Sequence, residues 1–365
     1  MPPTKKKQRP VKRAPASRAR TAPALVDFAL QGGGAHGAFT WGVLDRLLED
    51  ERIEIAAISG TSAGAINAVV FADGLMAGGR RGARKALLRF WSRVGSAMGH
   101  AALLPDPLAA LFGNWSIEGS PLQLYLDWVG RSLSPHQFNP LDLNPLRDLL
   151  AAEVDFERVR GCDRVRLFVS ATNVRTGQLK EFRHPELSVD AVMASACLPM
   201  MFRAVEIDGE AYWDGGYVGN PSLMPLIAES PANDLVLVQI NPSRRDALPT
   251  TAADILDRLN EITFNSSLVK ELRSLALLKR LLREEGRPPG SGRAALFTRI
   301  DQLRMHRIDA ESELARLGAG SKMNTSRPFL TQLHGIGYRA AHAWLEANFA
   351  HLGRRSTLDL DRYLA

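Results

Sequence analysis

The chain has few cysteines and no long apolar run, and each absence excludes a class of protein. Its 365 residues include only Cys162 and Cys197, which give neither a disulfide framework nor the ligand spacing of a metal site. No stretch has the length of a membrane-spanning helix. The apolar residues 24–26 are followed at once by Asp27, so they do not form the core of a signal peptide. We therefore expect a soluble protein of the cytoplasm.

The body of the chain also lacks net charge. Residues 1–22 carry eight basic side chains and no acidic one, whereas the rest of the chain carries 38 basic and 39 acidic side chains. The net charge of +7 therefore comes from a Pro- and Ala-rich tail that has too few large apolar residues to form a core. This tail is expected to be disordered, and it either contacts a polyanion or only aids solubility. The neutral body gives no indication of a specific nucleic-acid site.

Two kinds of apolar segment alternate in the first part of the chain. Residues 25–31 and 55–59 are short apolar runs typical of buried strands, and residues 38–49 and 62–75 have apolar side chains at helical spacing. This order predicts a parallel sheet with helices on both faces. Further strands, of which the first four form two hairpins, are predicted at residues 165–172, 178–182, 202–207, 210–213 and 235–240.

The composition changes after residue 249. Residues 250–317 are rich in charge and in leucine at helical spacing, with a Gly- and Pro-rich break at 286–292. We predict two long helices there, which leave the α/β core as a helical excursion, and a final helix at 335–350. The predicted organisation is a basic tail, an α/β domain, a helical insertion and a C-terminal helical part packing on the α/β domain, at residues 1–22, 23–249, 250–317 and 318–365.

A glycine loop follows the first predicted strand. Residues 32–37 satisfy G-x-G-x-x-G between a strand and a helix, as in dinucleotide-binding folds. Such folds need an acidic residue at the end of the second strand, but Glu51 and Glu54 precede that strand. Free N–H groups at a helix N-terminus also stabilise an oxyanion. The sequence therefore favours an oxyanion site over a nucleotide site, and glycines that only allow close helix packing are the structural alternative.

Ser62 closes the second predicted strand and opens the second predicted helix. Residues 60–64 read G-x-S-x-G, and the flanking glycines allow a turn sharp enough to expose the hydroxyl near a helix N-terminus. A nucleophile that attacks a carbonyl carbon needs this exposure. The pattern alone also fits a serine that only caps the helix.

The sequence lacks a histidine that is clearly placed to act as the base for Ser62. Four histidines lie in helical, charged or C-terminal contexts with nothing to align them, at His306, His334, His342 and His351. His36 lies in the glycine loop and is a candidate auxiliary donor. Asp214 is the better candidate base, because it ends an apolar segment, two glycines follow it, and Tyr212 and Trp213 are expected to desolvate its carboxylate. Asp-Gly-Gly is also a common turn.

Three motifs, in this order, resemble those of the patatin-like phospholipase family of lipid acyl hydrolases. They are the glycine loop at 32–37, the serine turn at 60–64 and the Asp-Gly-Gly turn at 214–216. The segment 194–199 is also similar to the segment that precedes the aspartate hairpin in the family. The similarity covers about residues 25–242. It implies a patatin-like α/β fold, a three-layer sandwich with a largely parallel central sheet and helices on both faces.

The resemblance also implies a role for each motif. Ser62 matches the nucleophile and Asp214 the base of a Ser/Asp dyad. The oxyanion-hole glycines of the family are matched by Gly32, Gly33 and Gly34. His36 stands where the family usually has Arg or Lys, which makes the charge beside the oxyanion hole dependent on pH. The implied activity is hydrolysis of a carboxylic ester in a phospholipid or acylglycerol, through an acyl-Ser62 intermediate and without a metal or other cofactor.

Other functions would use the same features. A polyester or storage-granule depolymerase would use the same dyad. A nucleotide-binding protein would use the glycine loop, and a polyanion-binding protein would use the basic tail. Residues 268–283 combine a leucine stripe with basic side chains. This pattern fits contact with a membrane or lipid granule, as a lipid substrate would require, or packing inside the protein. Packing is favoured because Leu277 and Leu281 lie outside the stripe. Residues 101–112 are a candidate cover over the acyl site.

Overall fold

The structure, a computed structural model, describes residues 22–97, 133–246, 248–284 and 294–364. Almost all of the predicted tail and the whole candidate cover at 101–112 lie outside the described residues. The strands form one sheet and are β1 (Ala24–Leu30), β2 (Ile53–Thr61), β3 (Arg166–Asn173), β4 (Leu179–Phe182), β5 (Val205–Ile207), β6 (Glu210–Asp214), β7 (Asp234–Val238) and β8 (Arg304–Ile308).

Helices connect the strands on both faces of this sheet. The α-helices are α1 (Gly37–Glu49), α2 (Ala63–Ala97), α3 (Pro135–Phe138), α4 (Pro145–Glu153), α5 (Phe156–Arg160), α6 (Val189–Ser195), α7 (Met224–Glu229), α8 (Ala252–Glu284), α9 (Ala294–Gln302), α10 (Glu311–Leu314) and α11 (Arg327–Asn348). Short 3-10 turns lie at Gly34–His36, His184–Glu186, Gly215–Tyr217, Ala319–Met323, Phe349–His351 and Asp361–Tyr363. α2 is longer than predicted and contains a break at Gly78 and Gly79.

The sheet is largely parallel, as predicted. The strand order is β5-β6-β3-β2-β1-β7-β8, and β4 also pairs with β3. The five strands from β3 to β8 in this order run parallel, whereas β4, β5 and β6 pair antiparallel. Both predicted hairpins are present, and the turn between β5 and β6 places Asp208 and Gly209 at φ values of 53° and 79°, the conformation that two-residue hairpins prefer.

The sheet separates two apolar layers. Phe28 and Leu30 of β1 point into a large cluster that includes the buried faces of α1, α2 and α11. The residue between them, Ala29, lies in a second cluster with side chains of α7, α8 and α9. Because successive side chains of a strand point to opposite faces, β1 contributes to both layers. The predicted three-layer α/β architecture is therefore confirmed.

The prediction that residues 235–240 form the last strong strand is wrong, because β8 follows inside the segment 250–317. β8 pairs parallel with β7 although three of its five residues are basic. Buried Asp234 accepts hydrogen bonds from Arg304 at 2.9 Å and from His306 at 3.0 Å, and Arg307 pairs with Asp309 at 2.7 Å. Of the two long helices predicted for this segment, α8 is long, but α9 has only nine residues. The division into domains stays a prediction.

The leucine stripe of α8 packs inside the protein. Leu268, Leu272 and Leu275 are at most 2 % exposed and lie in the second apolar cluster. The Lys279 ammonium donates to the carbonyl oxygens of Ile300 and Asp301 at 2.8 Å, which fixes α8 to the C-terminal end of α9. Within the described residues, no helix combines the length and the apolar character needed to cross a membrane.

Candidate active site

Ser62 lies in the tight turn between β2 and α2. Its φ is 54°, a left-handed conformation that costs a non-glycine residue about 1 kcal/mol or more. The two flanking glycines are required by close backbone contacts: a Cβ on Gly60 would lie 2.6 Å from the carbonyl carbon of Gly64, and a Cβ on Gly64 would lie 2.2 Å from the oxygen of Leu30. The Ser62 N–H donates to Ser195 Oγ at 2.8 Å. The turn therefore presents the serine hydroxyl in a fixed direction.

The glycine loop lies directly beside this turn, as expected from the parallel pairing of β1 and β2. A Cβ on Gly32 would lie 2.7 Å from the Cβ of Ser62. The Gly32 N–H already donates to Asn220 Oδ1 at 2.7 Å. Among the described residues, no hydrogen-bond acceptor pairs with the N–H of Gly33 or of Gly34, and Gly34 has a φ of 59°. Two of the three predicted oxyanion donors are thus available, and the first is occupied.

His36 is buried below the loop. Its Nε2 lies 2.7 Å from Ser321 Oγ, in the 3-10 turn Ala319–Met323. Burial, followed by the positive charge of Lys322, lowers the pKa of His36 to about 3. The imidazole is therefore neutral at physiological pH, and the expected pH-dependent charge at this position does not develop.

Asp214 ends β6 near the turn of Ser62, because it pairs with Ala171 of β3 while Thr61 pairs with the adjacent Ser170. Its carboxylate accepts a hydrogen bond from the Gly216 N–H at 2.7 Å. Burial raises the pKa of Asp214 from 3.8 to about 6, and the Gly216 N–H, the neighbouring Ser62 side chain and the charge of Lys322 oppose this rise. A carboxylate with such a pKa is largely ionised at neutral pH and is a much better proton acceptor than an exposed aspartate.

Two threonine side chains hold the loop after Asp214 against the sheet. Thr172 Oγ1 donates to the carbonyl oxygen of Asp214 at 2.7 Å, and Thr61 Oγ1 donates to the carbonyl oxygen of Gly219 at 2.6 Å. These threonines lie at the C-terminal ends of β3 and β2, and they therefore fix the loop at the same sheet edge as Ser62. This is the edge at which parallel α/β folds place their sites.

The aromatic surroundings of Asp214 differ from the expectation. We expected Tyr212 to desolvate the carboxylate, but its ring packs against Phe182 in the core, at a centroid distance of 5.4 Å. The ring next to the Asp-Gly-Gly turn is that of Phe264 from α8, which would lie 2.4 Å from a Cβ on Gly216. Gly216 is therefore a glycine because the ring of a distant helix occupies the space beside it.

Several residues of the site gave no signal in the sequence, and α8 supplies two of them. Asn220 Nδ2 donates to the carbonyl oxygen of Phe264 at 3.1 Å while its Oδ1 holds Gly32. Gln31, just before the glycine loop, donates to Asn265 Oδ1 at 2.8 Å. These amide side chains connect the glycine loop, the loop after Asp214 and α8. The described residues contain no cluster of three or more His, Cys, Asp or Glu side chains that could hold a metal ion.

The chain matches a known protein family. A family model described as Patatin-like phospholipase matches residues 28–227. Among solved structures, VipD from Legionella pneumophila gives a TM-score of 0.38 at 16 % identity, covering 89 % of this chain and 67 % of that chain. Full-length ExoU of Pseudomonas aeruginosa, in complex with SpcU, gives 0.26 at 15 % identity, covering 72 % of this chain and 59 % of that chain. A search of the curated proteins gives no significant match.

The family match includes the glycine loop, the serine turn and the Asp-Gly-Gly turn, and it ends within α7. It covers more than half of the chain and confirms the family that the motifs indicate. The chain therefore belongs to the patatin-like phospholipase family and is a lipid ester hydrolase.

Proposed function

We propose that the protein hydrolyses lipid carboxylic esters with a Ser62–Asp214 dyad. The observation that supports this proposal is the position of the two residues at one sheet edge: β3 pairs through Ser170 with Thr61, the residue before Ser62, and through Ala171 with Asp214. Asp214 takes the hydroxyl proton as Ser62 Oγ attacks the ester carbonyl carbon. The proton then passes to the leaving alkoxide, which departs as the alcohol. Water attacks the acyl-Ser62 ester, Asp214 takes a proton from that water, and the proton returns to Ser62 as the fatty acid leaves.

We assign the oxyanion to the N–H groups of Gly33 and Gly34. The N–H of Gly32 is engaged by Asn220, so the role of Gly32 in this proposal is to let the loop approach Ser62. The removal of one oxyanion donor typically costs about 2.7 to 4 kcal/mol of transition-state stabilisation. His36 is assigned to holding the loop on the turn at Ser321 rather than to carrying a charge.

The dyad is tested with Ser62→Ala and Asp214→Asn. Each variant is expected to lose hydrolysis of short nitrophenyl esters by about a thousandfold or more, and Ser62→Ala is expected to lose labelling by a fluorophosphonate. Ser312→Ala and Asp163→Asn change the same residue types at exposed positions and serve as matched controls. Full labelling of the Ser62→Ala variant would refute the proposed nucleophile.

The substrate class follows from a screen of phospholipid, acylglycerol and polyester with the wild-type protein. We expect turnover of phospholipid or acylglycerol that is lost in Ser62→Ala. Turnover of polyester alone would leave the dyad in place and assign the protein to the depolymerases instead.

We further propose that the outward face of α8 contacts the lipid surface. This face carries seven large apolar side chains that are between 38 and 54 % exposed, at Ile255, Leu256, Leu259, Ile262, Val269, Leu277 and Leu281. Lys270, Arg273 and Arg280 are exposed basic residues among them, and Arg280 pairs with Glu284 at 3.1 Å. An apolar face with cations fits the interface of an anionic lipid layer. The opposite face of the same helix brings Phe264 and Asn265 to the site, so a lipid layer there would lie about one helix diameter, roughly 10 Å, from it.

Flotation with vesicles of phosphatidylcholine and phosphatidylglycerol tests this surface. The double change Leu259→Glu and Ile262→Glu is expected to reduce binding to the vesicles at least about tenfold while hydrolysis of a soluble short ester stays unchanged, because both side chains point away from the site. Leu88→Glu is the matched control, since Leu88 is 54 % exposed on α2. Equal flotation of the double variant and the wild type would contradict the assignment.

A further inference from the structure

The 3-10 turn Ala319–Met323 packs directly on the glycine loop. A Cβ on Gly34 would lie 2.5 Å from the carbonyl oxygen of Lys322, and Ser321 Oγ lies 2.7 Å from Nε2 of His36. This turn is outside the segment that matches the family. The contacts place a lysine at the edge of the candidate site from a part of the chain that no motif marks.

The ammonium group of Lys322 lies beside the ring that covers the Asp-Gly-Gly turn. Nζ donates to Asn260 Oδ1 at 3.1 Å and lies 5.6 Å from the centroid of the Phe264 ring. The same ring is in contact with Gly216, whose N–H is bound by the Asp214 carboxylate. One aromatic ring therefore separates the ammonium group from the turn that holds the candidate base.

We propose that Lys322 is a positioning residue that keeps Asp214 in its ionised, proton-accepting form near neutral pH. This inference rests on the proposed Ser62–Asp214 dyad. Lys322 touches no reacting atom in this assignment, and it acts through the field of its positive charge across the Phe264 ring. Such a charge is more effective across an aromatic ring than across the same thickness of water, because the local dielectric constant is lower.

The other ionisable groups around the pair do not supply this charge. Burial raises the pKa of Cys197 to about 12 and also raises that of Tyr217, so both neighbours of Asp214 are neutral near pH 7. His36 is neutral as well, with a pKa of about 3. The positive charge of Lys322 lowers the pKa of Asp214, which is the direction that favours the base.

Lys322 retains most of its charge near pH 7 in this setting. Burial lowers its pKa to about 8, and Glu261, Asp257 and Asp214 oppose this decrease while Arg245 adds to it. Glu261 is itself paired with Arg245 and with Arg258, so it does not cancel the lysine charge. The effect of Lys322 is therefore expected on the acidic side of the pH profile, where Asp214 titrates.

The test is the pH profile of kcat/KM for a soluble nitrophenyl ester with wild type, Lys322→Met and Lys322→Arg. A unit charge several ångströms away in an effective dielectric near 20 changes a pKa by about one unit. In Lys322→Met the acidic limb is expected to move up by about one pH unit, which lowers kcat/KM about tenfold at pH 5 and less than twofold at pH 8. Lys322→Arg keeps the positive charge, so its acidic limb is expected at the same pH as that of the wild type.

Other results of these measurements would contradict either the role of Lys322 or the dyad itself. An equal loss at all pH values with an unmoved limb, or a loss limited to phospholipid substrates, would overturn the inference. Lys322→Gln keeps a polar group near Asn260 and is the second variant if the methionine variant does not fold; the same shift is expected. If the activity of the wild type does not depend on Ser62, the proposed function fails. If it does depend on Ser62 and the limb does not move, only the role of Lys322 fails.

Discussion

Replacement of Asp214 by Asn tests whether the candidate base is held at a cost to folding. The carboxyl group is 1 % exposed, and its pKa rises from 3.8 to about 6 chiefly because burial disfavours the charged form. Each pH unit of such a shift corresponds to about 1.4 kcal/mol, so the ionised carboxylate destabilises the folded state by about 3 kcal/mol at neutral pH. This is a large fraction of the stability of a typical domain.

The raised pKa determines the sign of the effect. The stability that the protonated group contributes is fully present below pH 3.8 and is lost as the pH rises through about 6. Asn does not ionise, and its amide oxygen can still accept the hydrogen bond from the Gly216 N–H. We expect Asp214→Asn to abolish ester hydrolysis and to raise the free energy of unfolding at about pH 7.5 by up to about 3 kcal/mol, with little gain at about pH 4.

Urea unfolding followed by tryptophan fluorescence at both pH values measures this difference. Ser62→Ala is the matched control, because it also removes activity but leaves the buried carboxylate in place, and it is expected to gain no stability. The reasoning is refuted if Asp214→Asn unfolds at pH 7.5 with a free energy equal to or below that of the wild type and with the same dependence on urea.

Two further predictions concern the scaffold. Gly64→Ala places a Cβ 2.2 Å from the oxygen of Leu30, so we expect a loss of at least about 2 kcal/mol in thermal unfolding, whereas Gly161→Ala, whose nearest neighbour would be at 3.4 Å, should change little. Asp27 in β1 has a pKa of about 7 because of burial, so stability from this group is lost as the pH rises through about 7. Asp27→Asn should therefore reduce the decline in unfolding free energy between about pH 6 and pH 8 without changing ester hydrolysis, and an unchanged decline would contradict this.

The parts of the site that the sequence predicts are those fixed by neighbours in the chain. The turn at Ser62 and the glycine loop each follow a strand, and the requirement for small residues at such turns is visible in the sequence. The parallel order of β1 and β2 then brings the two together. Asp214 can be predicted from the sequence for the same reason, since the strand before it and the glycines after it are its neighbours in the chain.

The residues that the sequence did not reveal act across long separations. Asn220 binds Gly32 from 188 positions away, and the turn with Lys322 meets His36 through a contact of 285 positions. A single asparagine or lysine has no pattern that indicates such a partner. β8 is not predicted for a related reason, because Arg304 and His306 pair with Asp234, about 70 positions earlier in the chain, and no local feature of the segment indicates that partner.

The position of β7 and β8 limits how the enzyme can be divided for experiments. The segment that matches the family ends at residue 227, before β7, yet β7 and β8 cover one side of β1 in the sheet. A fragment that stops there would leave β1 with a row of unpaired backbone groups between fully buried apolar side chains such as Phe28 and Leu30. Exposed strand edges of this kind template aggregation. Fragments ending at the family boundary are therefore expected to be insoluble, and a fragment made for crystallisation or activity assays needs to extend at least through β8.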